Sequence, residues 1–470
     1  MLKKQEISDS FFYTLESGFS GILSIAFYIF IANYLPIASV GVYSLALVYA
    51  SIIAGIANLG LSAGYERTYF EFSESKKNKG SLIASVQFFS FLSILIALSI
   101  GIFFSSQLSS FFFGDSKYQL LWIYILIAIN ISEFSKFYYL FLRNTRQAKT
   151  YSLMHTFQVS INFLLAFIFL VILEKDLAWL GLALLFSHLL ILVLSLYHQL
   201  RNLPFIINIK YFYEISKISL PLTPRVLIGF IGTQFDKIII SQVSSLETLG
   251  IYSIAHRMSM IVYMFSNALG RVWTPKLFEH LFGHPESNTK FIEVYMYISF
   301  IPAIILILFS KEVLLLFPES YGWGYIIIIF LTIYYSILFI GKINGPQLIY
   351  AKKSWLISWL SLANITISVA ITYPLALKYD ATGAASGMLI TGFLMGIIYL
   401  LFANKYAPII WNYIRLIKIF MFLIVASLFV IISHQTSISY TLELSIKTII
   451  LILFILYGYT MKFVKSLNFS

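Results

Sequence analysis

Apolar runs close to the 20 or so residues a helix needs to cross a bilayer recur along the whole chain. Fourteen can be read, at roughly 11–33, 41–64, 81–104, 118–141, 150–173, 177–198, 217–243, 249–272, 291–317, 321–346, 354–376, 381–404, 411–433 and 444–463. They are about twice the length of a barrel strand and lack strict apolar–polar alternation, so helices are the element that satisfies their backbone in lipid. Only 11% of residues are charged and 59% are hydrophobic, too little charge to cover a soluble surface. That excludes an ordinary soluble enzyme, a disordered chain and a coiled coil. The absence of cysteine excludes disulfides, thiolate metal sites and cysteine nucleophiles. Met1-Leu2-Lys3-Lys4 imitates the start of a signal peptide, but the apolar stretch after it is long and has no small-residue cleavage site. It reads as an uncleaved transmembrane helix.

The formal net charge is +12. Nucleic-acid binding needs a clustered basic face; here the Lys and Arg residues stand in short groups between apolar runs, so no nucleic-acid partner is expected. With the N-terminus placed inside, 22 of the 32 Lys and Arg residues fall on inside segments. Four fall outside (Lys117, Lys175, Lys311, Lys378) and six within spans. This asymmetry predicts a multi-pass membrane protein with an even number of spans and both termini cytoplasmic. The loops are short, leaving no room for a soluble catalytic module. No HExxH, Walker A or GxSxG run is present. No catalytic residue, metal or cofactor is expected, and the chain reads as a non-enzyme.

The chain resembles itself. Gly41-Val42-Tyr43-Ser44-Leu45-Ala46 opens the second span and Gly250-Ile251-Tyr252-Ser253-Ile254-Ala255 the eighth, an offset of 209 at which Asn58 also meets Asn267. Further on, Asn162 and Gly181 meet Asn364 and Gly383 at an offset of 202. Six spans separate the copies, so both enter the membrane the same way, as a parallel repeat. The predicted fold is an all-α integral membrane protein with about 14 transmembrane helices. Two parallel-repeat six-helix lobes, 1–198 and 199–404, surround a central cavity, and two additional helices occupy 405–470.

Ionisable residues inside spans are costly unless paired or wet, so they mark candidate sites. Span seven carries Arg225, Gly229, Gly232 and Asp236, which a continuous helix would hold within an arc of about 60°; Lys237 follows. Pro221 and Pro224 are expected to kink its entry. Span eight carries Ser253, Arg257, Met260, Met264 and Arg271 along one face. Asp236 and Arg257 stand at similar depth and are expected to pair, as a structural latch or as a gate or coupling pair. Glu16 meets Arg225 across the repeat and reads as its partner, a proton site or a solvated acid. Glu133 and Lys136 are spaced to pair on span four. Lys342 and Lys447 read as snorkelling residues near span ends, and His188 as a packing histidine. Glu16, Glu133, Asp236 and Lys237 are the gating or ion-coupling candidates.

Several stretches resemble a known family. Tyr34-Leu35-Pro36 through Gly41–Ala46, then Asn58-Leu59-Gly60-Leu61 and Glu66-Arg67, look like the opening of Wzx-type polysaccharide flippases. So do Leu220-Pro221-Leu222 through Asp236-Lys237 to Leu249–Arg257, and then Trp273-Thr274-Pro275. The resemblance implies the fold of the multidrug/oligosaccharidyl-lipid/polysaccharide exporter superfamily. It also implies movement of an undecaprenyl-diphosphate-linked oligosaccharide to the periplasmic leaflet by alternating access, before polymerisation into O-antigen or capsule. The implied partners are the lipid-linked oligosaccharide, membrane lipid and a polysaccharide polymerase. A diphosphate headgroup wants cations, which Arg225, Arg257 and Arg271 would supply. The rival readings are a lipid II flippase, an ion-coupled multidrug antiporter of the same superfamily and, from a different class, a membrane polysaccharide polymerase. Six basic against three acidic residues within the spans lean toward an anionic cargo, whereas a polymerase would be expected to carry a sizeable periplasmic loop and no repeat.

Overall fold

The computed structural model describes residues 2–72, 75–283, 290–436 and 438–461, with side chains at all of these but 2–8, 10, 225, 230, 272 and 275. The described residues are helical nearly throughout. In chain order the helices are α1 (Leu2–Tyr34), α2 (Ile37–Asn58), α3 (Leu61–Phe72), α4 (Lys76–Phe103), α5 (Ser105–Phe113), α6 (Gln119–Asn144), α7 (Ala148–Phe167), α8 (Leu177–Asn202) and α9 (Ile209–Gly232). Then follow α10 (Phe235–Val243), α11 (Leu246–Gly283), α12 (Lys290–Leu308), α13 (Ser310–Leu314), α14 (Tyr325–Ile337), α15 (Phe339–Tyr350), α16 (Ser354–Tyr406), α17 (Tyr413–Gln435) and α18 (Tyr440–Thr460). Four starts carry a side-chain cap. Ser75, Asp176, Asn208 and Asn412 each accept a backbone N–H of the helix that follows.

Eleven helical stretches among the described residues are long and apolar enough to cross a membrane, judged by length and composition. One of them, α16, runs to 53 residues because it contains two expected spans. The backbone leaves helical geometry between them, at Tyr379 and Asp380. The stretches expected as spans seven and eight are not among the eleven. Span seven is divided into α9 and the short α10, and α11 is too polar. Large apolar side chains such as Ile22, Phe103, Phe111 and Leu315 are exposed, as suits lipid rather than water.

The chain forms two compact units, Met1–Ser241 and Gln242–Ser470. In the first, α6 packs on α8, α2 and α4, α1 lies along α7, and α9 lies on α3, α4 and α2. Tyr65, Phe137, Tyr138, Leu203 and Ile215 form its buried cluster. The approach of α9 is close. A Cβ at Gly64 would stand 2.7 Å from the Ile215 carbonyl oxygen, so only glycine lets the two backbones meet there. In the second unit α12 packs on α17, α11 on α14, α12 and α15, and α16 on α14 and α15.

The repeat is visible in the backbone. Arg146 and Lys352 both adopt left-handed φ, +56° and +57°. Each closes a helix with the same two bonds: Arg146 N–H to Arg143 and Gln147 N–H to Leu142, against Lys352 N–H to Ile349 and Lys353 N–H to Leu348. This is a Schellman motif made twice. Glu174 and Asp380 form a second left-handed pair, φ +49° and +50°. Both pairs are 206 residues apart, between the offsets of 209 and 202 read from the sequence.

Candidate functional site

Glu16 is 9% exposed on α1. Its Oε1 lies 2.6 Å from His155 Nδ1 on α7 and accepts the Ser20 hydroxyl at 3.1 Å; Ser17 bonds Oε2 at 3.3 Å. Tyr139 and Tyr151 flank the His155 ring. This carboxylate–imidazole pair is a short, charge-assisted contact, and sequence reasoning missed its second member. The available signal was depth: His155 stands as far into span five as Glu16 does into span one, and the two helices enter from the same side.

Glu133 pairs with Lys136 as its spacing predicts, Nζ to Oε2 at 3.2 Å. It has a further partner in buried Asn58, whose Nδ2 donates to Oε2 at 3.1 Å. Asn58 ends α2. Leu59 then takes a left-handed φ of +49°, and the Asn58 side chain accepts the Ser62 N–H and hydroxyl, stitching the break between α2 and α3.

Span seven departs from the continuous helix expected. Pro221 and Pro224 lie inside α9, and the interruption comes later, at Thr233–Gln234, where Gln234 N–H bonds a carbonyl only three residues back. The even 100° spacing that put Arg225 and Asp236 on one stripe is therefore lost between them. Asp236 is buried, 1% exposed, in the first turn of α10. Lys237 reaches back to Gln234 Oε1 at 3.3 Å. Arg225 belongs to α9, and its side chain lies outside the described residues.

In the second unit Arg257 is half-buried and Arg271 exposed, both on α11. The two lysines expected to snorkel do not. Lys342 on α15 bonds the Asn267 amide oxygen on α11, its Nζ 5.4 Å from the centre of the Tyr263 ring. Lys447 on α18 is fully buried, bonded to Glu312 at 2.5 Å and Glu443 at 2.9 Å. Lys311 completes that network, 3.1 Å from Glu443. At the start of α17, Arg415 reaches buried Glu293 of α12 at 3.1 Å. His188 donates within its own helix, Nδ1–H to the Leu184 carbonyl oxygen at 2.8 Å, as a packing histidine does.

The candidates therefore separate by unit, with Glu16, Glu133, Arg225, Asp236 and Lys237 in the first and Arg257 and Arg271 in the second. Chemically, the described side chains offer two acid-centred polar clusters in the first unit and a cationic, aromatic cluster in the second.

Residues 7–280 match the model of a family described as polysaccharide biosynthesis protein. Over 221 residues the chain is 29% identical to the capsular polysaccharide biosynthesis protein CapF of Staphylococcus aureus, covering 45% of this chain and 55% of that protein. The chain thus spans about half the length of the curated relative it matches. Among solved structures, the lipid II flippase MurJ in an inward closed conformation is similar with a TM-score of 0.74 at 16% identity, covering 95% of this chain and 98% of that one. An inward-facing multidrug resistance MATE family transporter of the MOP superfamily gives 0.62 at 16% identity over 82% and 94%. At these identities the likeness is one of fold.

Proposed function

Because this chain belongs to the polysaccharide biosynthesis protein family, whose model matches more than half of it, we propose that it is a flippase for polysaccharide assembly. Its cargo is an undecaprenyl-diphosphate-linked oligosaccharide repeat unit, carried from the cytoplasmic to the periplasmic leaflet of the inner membrane by alternating access. The product passes to a polysaccharide polymerase for O-antigen or capsule. The observation that carries this reading is the family match across α1 to α11, on a fold shared with a lipid flippase.

The charge balance supports the anionic cargo over a cationic drug. Arg225 stands on α9, and Arg257 and Arg271 on α11. Guanidinium groups bind phosphate oxygens bidentately. Glu16, Glu133, Asp236 and Lys237 are the gating or ion-coupling residues in this reading, and the two sequence repeats, 1–198 and 199–404, are its functional halves with 405–470 appended.

Expression in a strain lacking its own polysaccharide flippase is expected to restore surface polysaccharide, and expression in a strain depleted of its lipid II flippase to leave growth unrescued. Rescue of the second strain alone would replace the proposed cargo with lipid II. Reporter fusions at residues 78 and 470 are both expected to report cytoplasm; opposite locations would remove the even span count on which the orientation rests.

A further inference from the structure

Asn58 and Asn267 occupy equivalent places in the repeat, and each reaches a charged side chain 75 residues downstream. Asn58 uses its amide N–H toward Glu133; Asn267 uses its amide oxygen toward Lys342. An amide carries both a donor and an acceptor, so the same residue type serves either charge. Glu133 and Lys342 are themselves 209 residues apart, the offset of the two asparagines. The two halves thus hold the same side-chain bond with its charge reversed.

The counter-charge differs. Glu133 is neutralised by Lys136. The residue 209 beyond Lys136 is Gly345. Lys342 has no carboxylate partner among the described residues, only the Asn267 oxygen and the face of Tyr263. A half-buried ammonium without a counter-ion is unfavourable, and a bound anion relieves it. On its own helix the positions before and one turn after it are glycines, Gly341 and Gly345, at which a Cβ would meet nothing within 4 Å. Exposed Arg271 lies one turn beyond Asn267 on α11. The ammonium spends one of its three donors on Asn267 and has two for a ligand.

We infer that Lys342, oriented by Asn267, is a binding site for a phosphoryl oxyanion in the second unit. The diphosphate of a lipid-linked sugar and free pyrophosphate share this chemistry; that the lipid is the physiological source rests on the function proposed above.

The test is calorimetric binding of undecaprenyl diphosphate and of inorganic pyrophosphate to the purified full-length protein in nanodiscs. Lys342→Met is expected to weaken binding at least tenfold, with a ligand-free Tm no lower than wild type. Gly345→Glu, which supplies the counter-charge found at the equivalent place in the first unit, is expected to weaken binding similarly without touching Lys342. Lys342-dependent binding of the lipid assigns the site to a headgroup; such binding of pyrophosphate alone assigns it to a free phosphate. Wild-type affinity in both variants, or no binding of either probe to wild type, overturns the site. If wild type still restores surface polysaccharide in that case, the flippase reading stands and only this inference fails. Pyrophosphate binding through Lys342 in a protein that restores no polysaccharide does the reverse.

Discussion

Lys447→Ala is expected to destabilise the second unit by about 3–5 kcal/mol, the cost of breaking a buried ion pair from one side. Lys447 is fully buried, and its ammonium bonds Glu312 at 2.5 Å and Glu443 at 2.9 Å. Glu443 keeps Lys311 and the Ser433 hydroxyl when Lys447 is removed. Glu312 keeps nothing, since its Oε2 already lacks a hydrogen-bond partner. The variant therefore leaves a carboxylate uncompensated. Thermal unfolding in detergent reads the loss. Adding Glu312→Gln to Lys447→Met is expected to recover most of it, because the stranded charge goes with its partner. Lys311→Ala is expected to cost far less, since Glu443 keeps Lys447 and the Ser433 hydroxyl when Lys311 is removed. Equal Tm for Lys447→Ala and wild type would show that these charges are solvated rather than structural.

Arg225→Ala is expected to abolish surface polysaccharide at normal protein level, with Arg225→Lys retaining part of it. Arg225 sits on α9 one turn before Gly229, where a Cβ would meet nothing within 4 Å, so this helix presents open space at the next turn. In the proposed reading a guanidinium at this position holds diphosphate oxygens in two places at once, and an ammonium only in one. The competing role, a structural partner for Glu16, predicts that exchanging the two residues restores function. That rescue is expected to fail, because both oxygens of Glu16 are already engaged, by His155, Ser20 and Ser17. Full display by the alanine variant would remove Arg225 from the mechanism.

The helices were legible because a bilayer imposes length and apolarity together, and both are properties of a contiguous run. What stayed hidden depends on residues far apart in the chain. Glu443 four residues before Lys447 was a local sign of pairing, but burial depends on Glu312, 135 residues away; near a span end, snorkelling is the natural reading of a lysine. Lys342 was misread for the same reason. His155 passed unnoticed because its carboxylate sits on another helix. The break at Thr233–Gln234 was missed because two prolines nearby offered a stronger signal in the wrong place, whereas α9 absorbs both and tightens only after Gly232. Glu133 with Lys136 was readable because a helix brings residues three apart together wherever it lies.

The paired left-handed turns bear on ancestry. A Schellman turn is held by backbone bonds, so it survives while side chains drift: the turn that closes at Gln147 closes again at Lys353. Such persistence is what duplication of a half-length ancestor leaves behind. Two identical half-chains assembled as a symmetric pair carry the same residue at each equivalent position. Glu133 beside one asparagine and Lys342 beside the other is an arrangement closed to such a pair. Two halves joined in one polypeptide are free to carry opposite charges at matching positions.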